Sequence, residues 1–528
     1  MSIKVFQSMK LQSLPLHPLL IAFFQILSIC AINIKTVNIT TVMFVLLITV
    51  FFTVLFFLLF AFITNDIKRS AILVSFYLFI FFTYGRLFDI VQGIQISELV
   101  IGRRIYLLLL YALIVIAGTL WILRSQLCKK YLEVITYFIN VFSLGLFIVV
   151  VLIAITNFDR ITFGSNKQRE FKKFSDKKEV HQISKNNKIL HPNVYYIIFD
   201  SYASHRVLNK YYDWDDSGVV EALRSLGFSV NKNAYSNYYF TSASLGATLN
   251  MRYMHEDWGF NDASSKEDYL MQHFKHNEVM ERFKYEGYDV ISNKFFGYNS
   301  YQNNKNSIYK SGVFADGFIA LLVKISMLRV IEEQLMNGLL ADAMRQDILS
   351  ILANLKLFDI PNRPTFIFIH VLSPHRPFIF NADGSKPKIF ESDWGRLAYM
   401  KGYIEQVRFI GTQVIEIANS LRRRDTSAVI IVQADHGLGY KLTDYLYDRG
   451  RPPLEFLDSQ YGILSAIYLP HGIMIPEEIT PVNLFRYLFN NLFDAKLEVL
   501  PDRAFFSSIK EPYAFYEVTN DLKRLRAE

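Results

Sequence analysis

The residues of this chain best suited to chemistry are a cluster of hydroxyls and a scatter of aspartates and histidines at the ends of apolar runs. The hydroxyls lie in Asn237-Tyr-Tyr-Phe-Thr-Ser-Ala-Ser-Leu-Gly-Ala-Thr-Leu-Asn-Met-Arg-Tyr253. Leu245, Leu249 and Tyr253 recur there at i, i+4 and i+8, the spacing of a helix. Thr241 or Ser242 then sits at the helix N-terminus, where unpaired backbone N–H groups and the positive dipole end favour an anion. A hydroxyl so placed suits attack on a phosphate or sulfate ester, and equally suits an N-cap. The carboxylates and imidazoles are Asp200, His370, His375, Asp435 and His436, each at or just after an apolar run. A carboxylate, a hydroxyl oxygen and an Asp-His pair suit a divalent cation taking O and N ligands, zinc or manganese before magnesium.

These residues need a scaffold, and the pattern from residue 192 onward supplies one. Short β-branched runs at 194–199, 288–292, 365–371, 428–432 and 463–469 read as strands. They alternate with helical patterns at 219–226, 278–286, 331–355, 397–422 and 482–492. This predicts an α/β domain with a mostly parallel sheet covered by helices on both faces. In such sheets ligands bind beyond the carboxyl ends of the strands, where Asp200, His370, His375, Asp435 and His436 all fall.

The first third is different. Hydrophobic residues make up 52% of the chain and phenylalanine alone numbers 46, with the excess near the start. Residues 40–64, 105–123 and 134–156 are long enough to span a bilayer, which takes ~20 apolar residues. Residues 19–34 and 71–94 are weaker candidates, giving five spans. Lys4, Lys10, Lys68, Arg69, Arg124, Lys129 and Lys130 fall on one side, and Lys35, Arg103 and Arg104 on the other. The positive-inside rule then predicts a cytoplasmic N-terminus and everything after Thr156 outside the cytoplasmic membrane. The resulting division is a transmembrane domain over 1–157, a basic juxtamembrane linker over 158–192 and a catalytic domain over 193–528. Arg86 and Asp89, three residues apart in the third span, read as an interfacial ion pair or a lipid-headgroup contact. The net charge of +8 is spread out, which argues against a nucleic-acid partner. The two cysteines, Cys30 and Cys128, both lie in the membrane third and leave no thiol site in the rest.

Tyr195-Tyr-Ile-Ile-Phe-Asp200, Thr241-Ser-Ala-Ser244, His370-x4-His375-x-Pro-Phe and Ala434-Asp-His-Gly437 together resemble the alkaline phosphatase superfamily, in its membrane-anchored sulfatase-like branch. Spans followed by such a domain are also similar to lipoteichoic acid synthases and to phosphoethanolamine and phosphoglycerol transferases. The resemblance implies that Asp200, Thr241, Asp435 and His436 hold one metal ion and that Thr241 is the nucleophile. It further implies that His375 and His370 bind or protonate the transferred group. Threonine stands where sulfatases carry the Cys or Ser that becomes formylglycine, and Leu245 stands where they carry an Arg. No histidine occurs between Gly437 and Tyr468 to complete a second metal site.

The implied activity is transfer of a phosphoglycerol or phosphoethanolamine headgroup from a phospholipid to an envelope glycan or glycolipid, through a phospho-threonine intermediate. With water as acceptor the same site is a phosphate- or sulfate-ester hydrolase. A third reading is a non-catalytic relative that binds lipid or a partner protein.

Overall fold

A computed structural model of the chain describes residues 14–32, 39–91, 95–96, 99–100, 104–175, 191–255, 269–270, 273–274, 277–293, 317–332, 338–387, 396–439, 452–470, 473–507, 511 and 513–527. The chain divides into two compact units. One holds residues 1–181 and 312–343, the other residues 182–311 and 344–528. Residues 312–343 fall inside the 193–528 stretch that the sequence pattern assigns to the catalytic domain, yet they group with the membrane helices.

The first unit is built on helices α1 (His17–Ile32), α2 (Ile39–Thr64), α3 (Ile67–Val91), α4 (Arg104–Arg124) and α5 (Leu132–Ser175). Four of them carry apolar stretches long enough to cross a membrane; α1, at 16 residues, is shorter. At ~1.5 Å per residue α1 spans about 24 Å, against a hydrocarbon core of about 30 Å. Its N-terminus is held inside the bundle. The Leu16 and His17 N–H groups donate to Asn140 Oδ1 at 3.0 and 2.9 Å, and His17 Nδ1 lies 2.6 Å from Ser75 Oγ. Lys68, at the start of α3, pairs with Glu133 at the start of α5 at 2.7 Å. Arg69 reaches the Leu123 carbonyl at the end of α4. α1, α3 and α5 therefore start at one end of the unit, where α4 finishes. Asp89 does not pair with Arg86: it bonds Arg329 Nη1 at 2.7 Å, with Lys324 Nζ at 3.9 Å, while Arg86 is exposed. The partner lies 240 positions away in sequence, so spacing within the span could not reveal it.

The second unit is a six-stranded sheet of β1 (Val194–Phe199), β2 (Ser229–Val230), β3 (Asp289–Ser292), β4 (Thr365–Val371), β5 (Val429–Gln433) and β6 (Ser465–Tyr468). The order is β2-β6-β5-β1-β4-β3. β5, β1, β4 and β3 run parallel, whereas β6 is antiparallel to β5 and β2 to β6. The register sets Val194 opposite both Phe366 and Val429, so the carboxyl ends of the three central strands finish side by side. β1, β4 and β5 are buried along their whole length, because helices cover both faces. One face packs Tyr196, Ile198, Phe366 and Phe368 against Leu245, Leu249, Phe283, Phe485 and Phe489. These come from the helices Thr241–Asn250, Glu278–Tyr285 and Pro481–Phe493. On the other face Tyr195, Ile197, Ile367 and Ile369 are fully buried, and the helix Arg396–Arg424 packs on β5. The 331–355 helix of the sequence pattern is Leu339–Leu357.

Candidate metal centre and active site

β1, β4 and β5 deliver their terminal residues to one place. Asp200 follows β1, His370 is the penultimate residue of β4, and Asp435 and His436 follow β5 by two and three residues. All four are at least nine-tenths buried. His370 Nε2 lies 3.4 Å from Asp200 Oδ2. His436 Nε2 lies 3.4 Å from Asp435 Oδ2 and 3.8 Å from Asp200 Oδ1. The turn after Asp435 and His436 requires glycine: a Cβ on Gly437 would meet the Ser459 carbonyl at 2.2 Å.

Thr241 completes the group. The N-cap of its helix is Phe240, in extended conformation and with no side-chain cap bond. Thr241 is the first helical residue, and neither it nor Ser242 is the cap that such residues usually supply. Instead Thr241 Oγ1 sits 3.2 Å from His436 Nε2. Ser244, one turn on, is buried and donates to the Asp435 carbonyl at 2.6 Å, which ties the helix to the metal-side loop.

His375 approaches from the loop after β4. Its N–H donates to the Asp200 carbonyl at 3.0 Å, and its ring centroid is 6.4 Å from that of His436. Nδ1 of His375 is 2.7 Å from the Arg376 carbonyl and Nδ1 of His436 is 2.8 Å from the Gly437 carbonyl. A carbonyl can only accept, so each Nδ1 carries a proton, and Nε2 is the ring nitrogen left to face a cation or a substrate.

The site's charges reinforce one another. Burial alone would raise the Asp200 carboxyl, but His375, His370 and His436 outweigh it and hold the group well below the usual carboxylate range. Burial would lower His436, but Asp435, Asp200 and the Gly437 carbonyl outweigh it and raise the ring.

The donor set fits a divalent cation. Ligand atoms of Asp200, His370 and Asp435 all lie within 4.8 Å of one another and are buried. Asp435 Oδ2 has no hydrogen-bond partner, an arrangement costly for a buried carboxylate oxygen unless a cation satisfies it. The 3.4–3.8 Å separations are long for hydrogen bonds. They match the roughly 3.4 Å expected between two ligands each about 2.0–2.1 Å from a tetrahedral ion. The structure thus brings Asp200, Thr241, Asp435 and His436 to one place and adds His370 to the same buried donor group.

Four supporting residues escape sequence reasoning. Ser201, at φ 64°, donates Oγ to Asp200 Oδ1 at 3.0 Å and N–H to Asp435 Oδ1 at 3.3 Å. Asn293 exchanges two hydrogen bonds with the His370 backbone, at 2.8 and 2.9 Å. Tyr403 grips the turn after Asp200, accepting from Ala203 N–H and donating to the Ser201 carbonyl. Gln406 grips the His375 loop, donating Nε2 to the His375 carbonyl and accepting from Ile379 and Phe380 N–H. A serine after a strand-end aspartate is a turn signal; the other three carry none.

A family model described as Sulfatase matches residues 192–461. No curated protein matches the chain. Among solved structures, the C-terminal periplasmic domain of EcEptC from Escherichia coli, in complex with zinc, is similar at 12% identity and TM-score 0.38. That match covers 64% of this chain and 94% of that one. The lipooligosaccharide phosphoethanolamine transferase A of Neisseria meningitidis, an integral membrane protein, matches at 13% identity and TM-score 0.38, covering 90% and 95%. The phosphonate monoester hydrolase of Agrobacterium radiobacter matches at 13% identity and TM-score 0.37, covering 61% and 82%.

Proposed function

The chain belongs to the sulfatase family, and from that premise we propose that it is a metal-dependent phospho-group transferase acting at a membrane. It is an enzyme of the alkaline phosphatase superfamily joined to apolar helices, and its donor is a phospholipid headgroup, phosphoglycerol or phosphoethanolamine. The acceptor is a hydroxyl of an envelope glycan or glycolipid. The observation that carries this reading is Thr241 Oγ1, free of capping duty and 3.2 Å from His436 Nε2 at the edge of a buried carboxylate–imidazole group. A plain hydroxyl there favours double displacement on a phosphodiester over the aldehyde chemistry of sulfatases.

A divalent cation held by Asp200, His370, Asp435 and His436 would neutralise charge on the phosphoryl oxygens and lower the pKa of a bound hydroxyl. Thr241 Oγ1 forms a bond to phosphorus as the bond from phosphorus to the diacylglycerol oxygen breaks. Thr241 loses one proton and the departing oxygen gains one, and His375, with its Nε2 open to the site, carries it. In the second step the acceptor hydroxyl attacks phosphorus, gives up its proton, and Thr241 leaves with its own restored. The helix N-terminus at Thr241 favours the anionic group throughout.

Thr241→Ala should cut transfer on the order of 10³-fold or more, since it removes the nucleophile. The unfolding temperature should stay near that of the parent protein. A phospholipid labelled in its headgroup should leave label on Thr241 and on neither Ser242 nor Ser244. Ser242 projects about 100° away around the helix. Near-normal transfer by Thr241→Ala would sink the mechanism. Release of free headgroup phosphate with no glycan labelled would make the enzyme a hydrolase.

A further inference from the structure

The membrane unit contains a piece of chain that the sequence places between β3 and β4. Its helix, Gly317–Ile325, has no charge before Lys324. Phe318, Leu322 and Ile325 are buried against Ile26, Ile29 and Cys30 of α1, Val42, Val45 and Leu46 of α2, and Phe82 of α3. Contact with α3 is close enough to exclude a side chain. A Cβ on Gly85 would fall 2.1 Å from the Lys324 carbonyl and 2.6 Å from Ile325 C. Just beyond, Met327 N–H donates to the Phe81 carbonyl at 2.8 Å. Arg329 lies 4.7 Å over the Phe88 ring and pairs with Asp89.

These contacts fix the depth of the piece. Phe81 lies ten residues before Val91, the last residue of α3. At ~1.5 Å per residue that is about 15 Å along the helix, half of a hydrocarbon core of about 30 Å. The charged pairs sit higher, at Asp89. Leu321 also packs on that cluster, and the rest of the helix before Lys324 is apolar as well: Ile319 and Val323 are half-buried and Ala320 is exposed. On α2, against which this helix packs, Met43, Phe44 and Leu47 are also exposed. A helix apolar on every face up to Lys324, beside helices long enough to span and at their depth, has lipid as its natural solvent.

We propose that residues 317–330 form a re-entrant element of the outer leaflet. Acyl chains cover Ile319, Ala320 and Val323, while Lys324, Arg329 and Asp89 mark the headgroup level. The proposal depends on the membrane reading of α2–α5 and, for the choice of leaflet, on the external exit from α5; it does not depend on the transferase reading.

The test uses the full chain in phosphatidylethanolamine–phosphatidylglycerol liposomes, with Cys30 and Cys128 replaced by alanine. Nitroxide labels are placed singly at Ala320→Cys, at Leu47→Cys on the exposed apolar face of α2 and at Glu221→Cys, exposed on the other unit. The label at 320 should respond to dissolved oxygen like the label at 47, and lose the response to a water-soluble nickel chelate shown at 221. A nickel response at 320 equal to that at 221 overturns the proposal. Adding Gly85→Leu should drive the α3 surface into the Lys324 backbone and raise the nickel response at 320. An unchanged response would mean that docking on α3 does not set the depth. Neither result depends on whether the enzyme transfers or hydrolyses.

Discussion

A single histidine outside the site shows how far environment sets a residue's behaviour. His255 is packed between Phe505, at a ring-centroid distance of 4.2 Å, and Phe515 at 5.5 Å. The Tyr238 hydroxyl accepts from Met254 N–H and shares a 2.7 Å hydrogen bond with His255 Nδ1. Burial, helped by Arg503, lowers this imidazole to about 4. The folded value lies below the unfolded one of about 6.5. The contribution to stability is therefore present above pH 6.5 and is lost as pH falls towards 4. His255→Phe should flatten the fall of the unfolding temperature between pH 7 and pH 4.5; an unchanged slope would refute this account. At the active site the same scale explains what was legible. Asp200, Asp435 and His436 end apolar runs and Thr241 or Ser242 begins a helical one, so local pattern marks them as candidates. Their roles are implied only by the family resemblance, and the 3.4 Å approach of His370 to Asp200 is a contact between strands that a strand's own pattern does not reveal.

The helix Arg396–Arg424 sets the distance between two halves of the site. Tyr403 and Gln406, three residues apart, face the same way on it. One holds the turn carrying Asp200 and the other the loop carrying His375. Both are fully buried. Gln406→Leu leaves buried N–H groups of Ile379 and Phe380 without an acceptor, a loss of about 1–3 kcal/mol. We expect a measurable drop in unfolding temperature and a fall in kcat larger than any change in KM, since His375 shifts while the metal-side residues stay. A variant with normal kcat would show that the loop holds its place unaided. This brace was invisible in sequence. Gln406 bonds backbone atoms some 30 positions away, a contact that leaves no mark on periodicity or composition. β2, two residues long, was missed for a related reason, being too short to alternate. The antiparallel pairing of β6 was equally unreadable, since strand direction follows from connections and not from the strand's own residues.

At the scale of the whole chain, orientation is the first expectation. Lys68, Arg69 and Arg124 gather at the end of the membrane unit where α1, α3 and α5 begin and α4 finishes. The basic side is the cytoplasmic one by rule, which supports an external exit from α5. A reporter active only in the cytoplasm, fused at residue 190, should be silent. Metal content is the second: the purified protein should carry about one divalent ion per chain, as a tetrahedral site with one ligand set requires. Chelation should lower its unfolding temperature, because a bound ion stabilises only the folded form. The excursion of residues 312–343 into the membrane unit also governs the order of events during synthesis. β1 is hydrogen-bonded to β4 and β5, β2 to β6, and β3 to β4. Every strand of this sheet made before residue 312 finds its partners only among strands made after residue 343. The ribosome therefore releases half a sheet with nothing to pair with, then the apolar helix Gly317–Ile325, and only then β4, β5 and β6, which close the fold. Nascent chains arrested near residue 345 should be cut readily by protease between residues 193 and 311, and completed chains should resist.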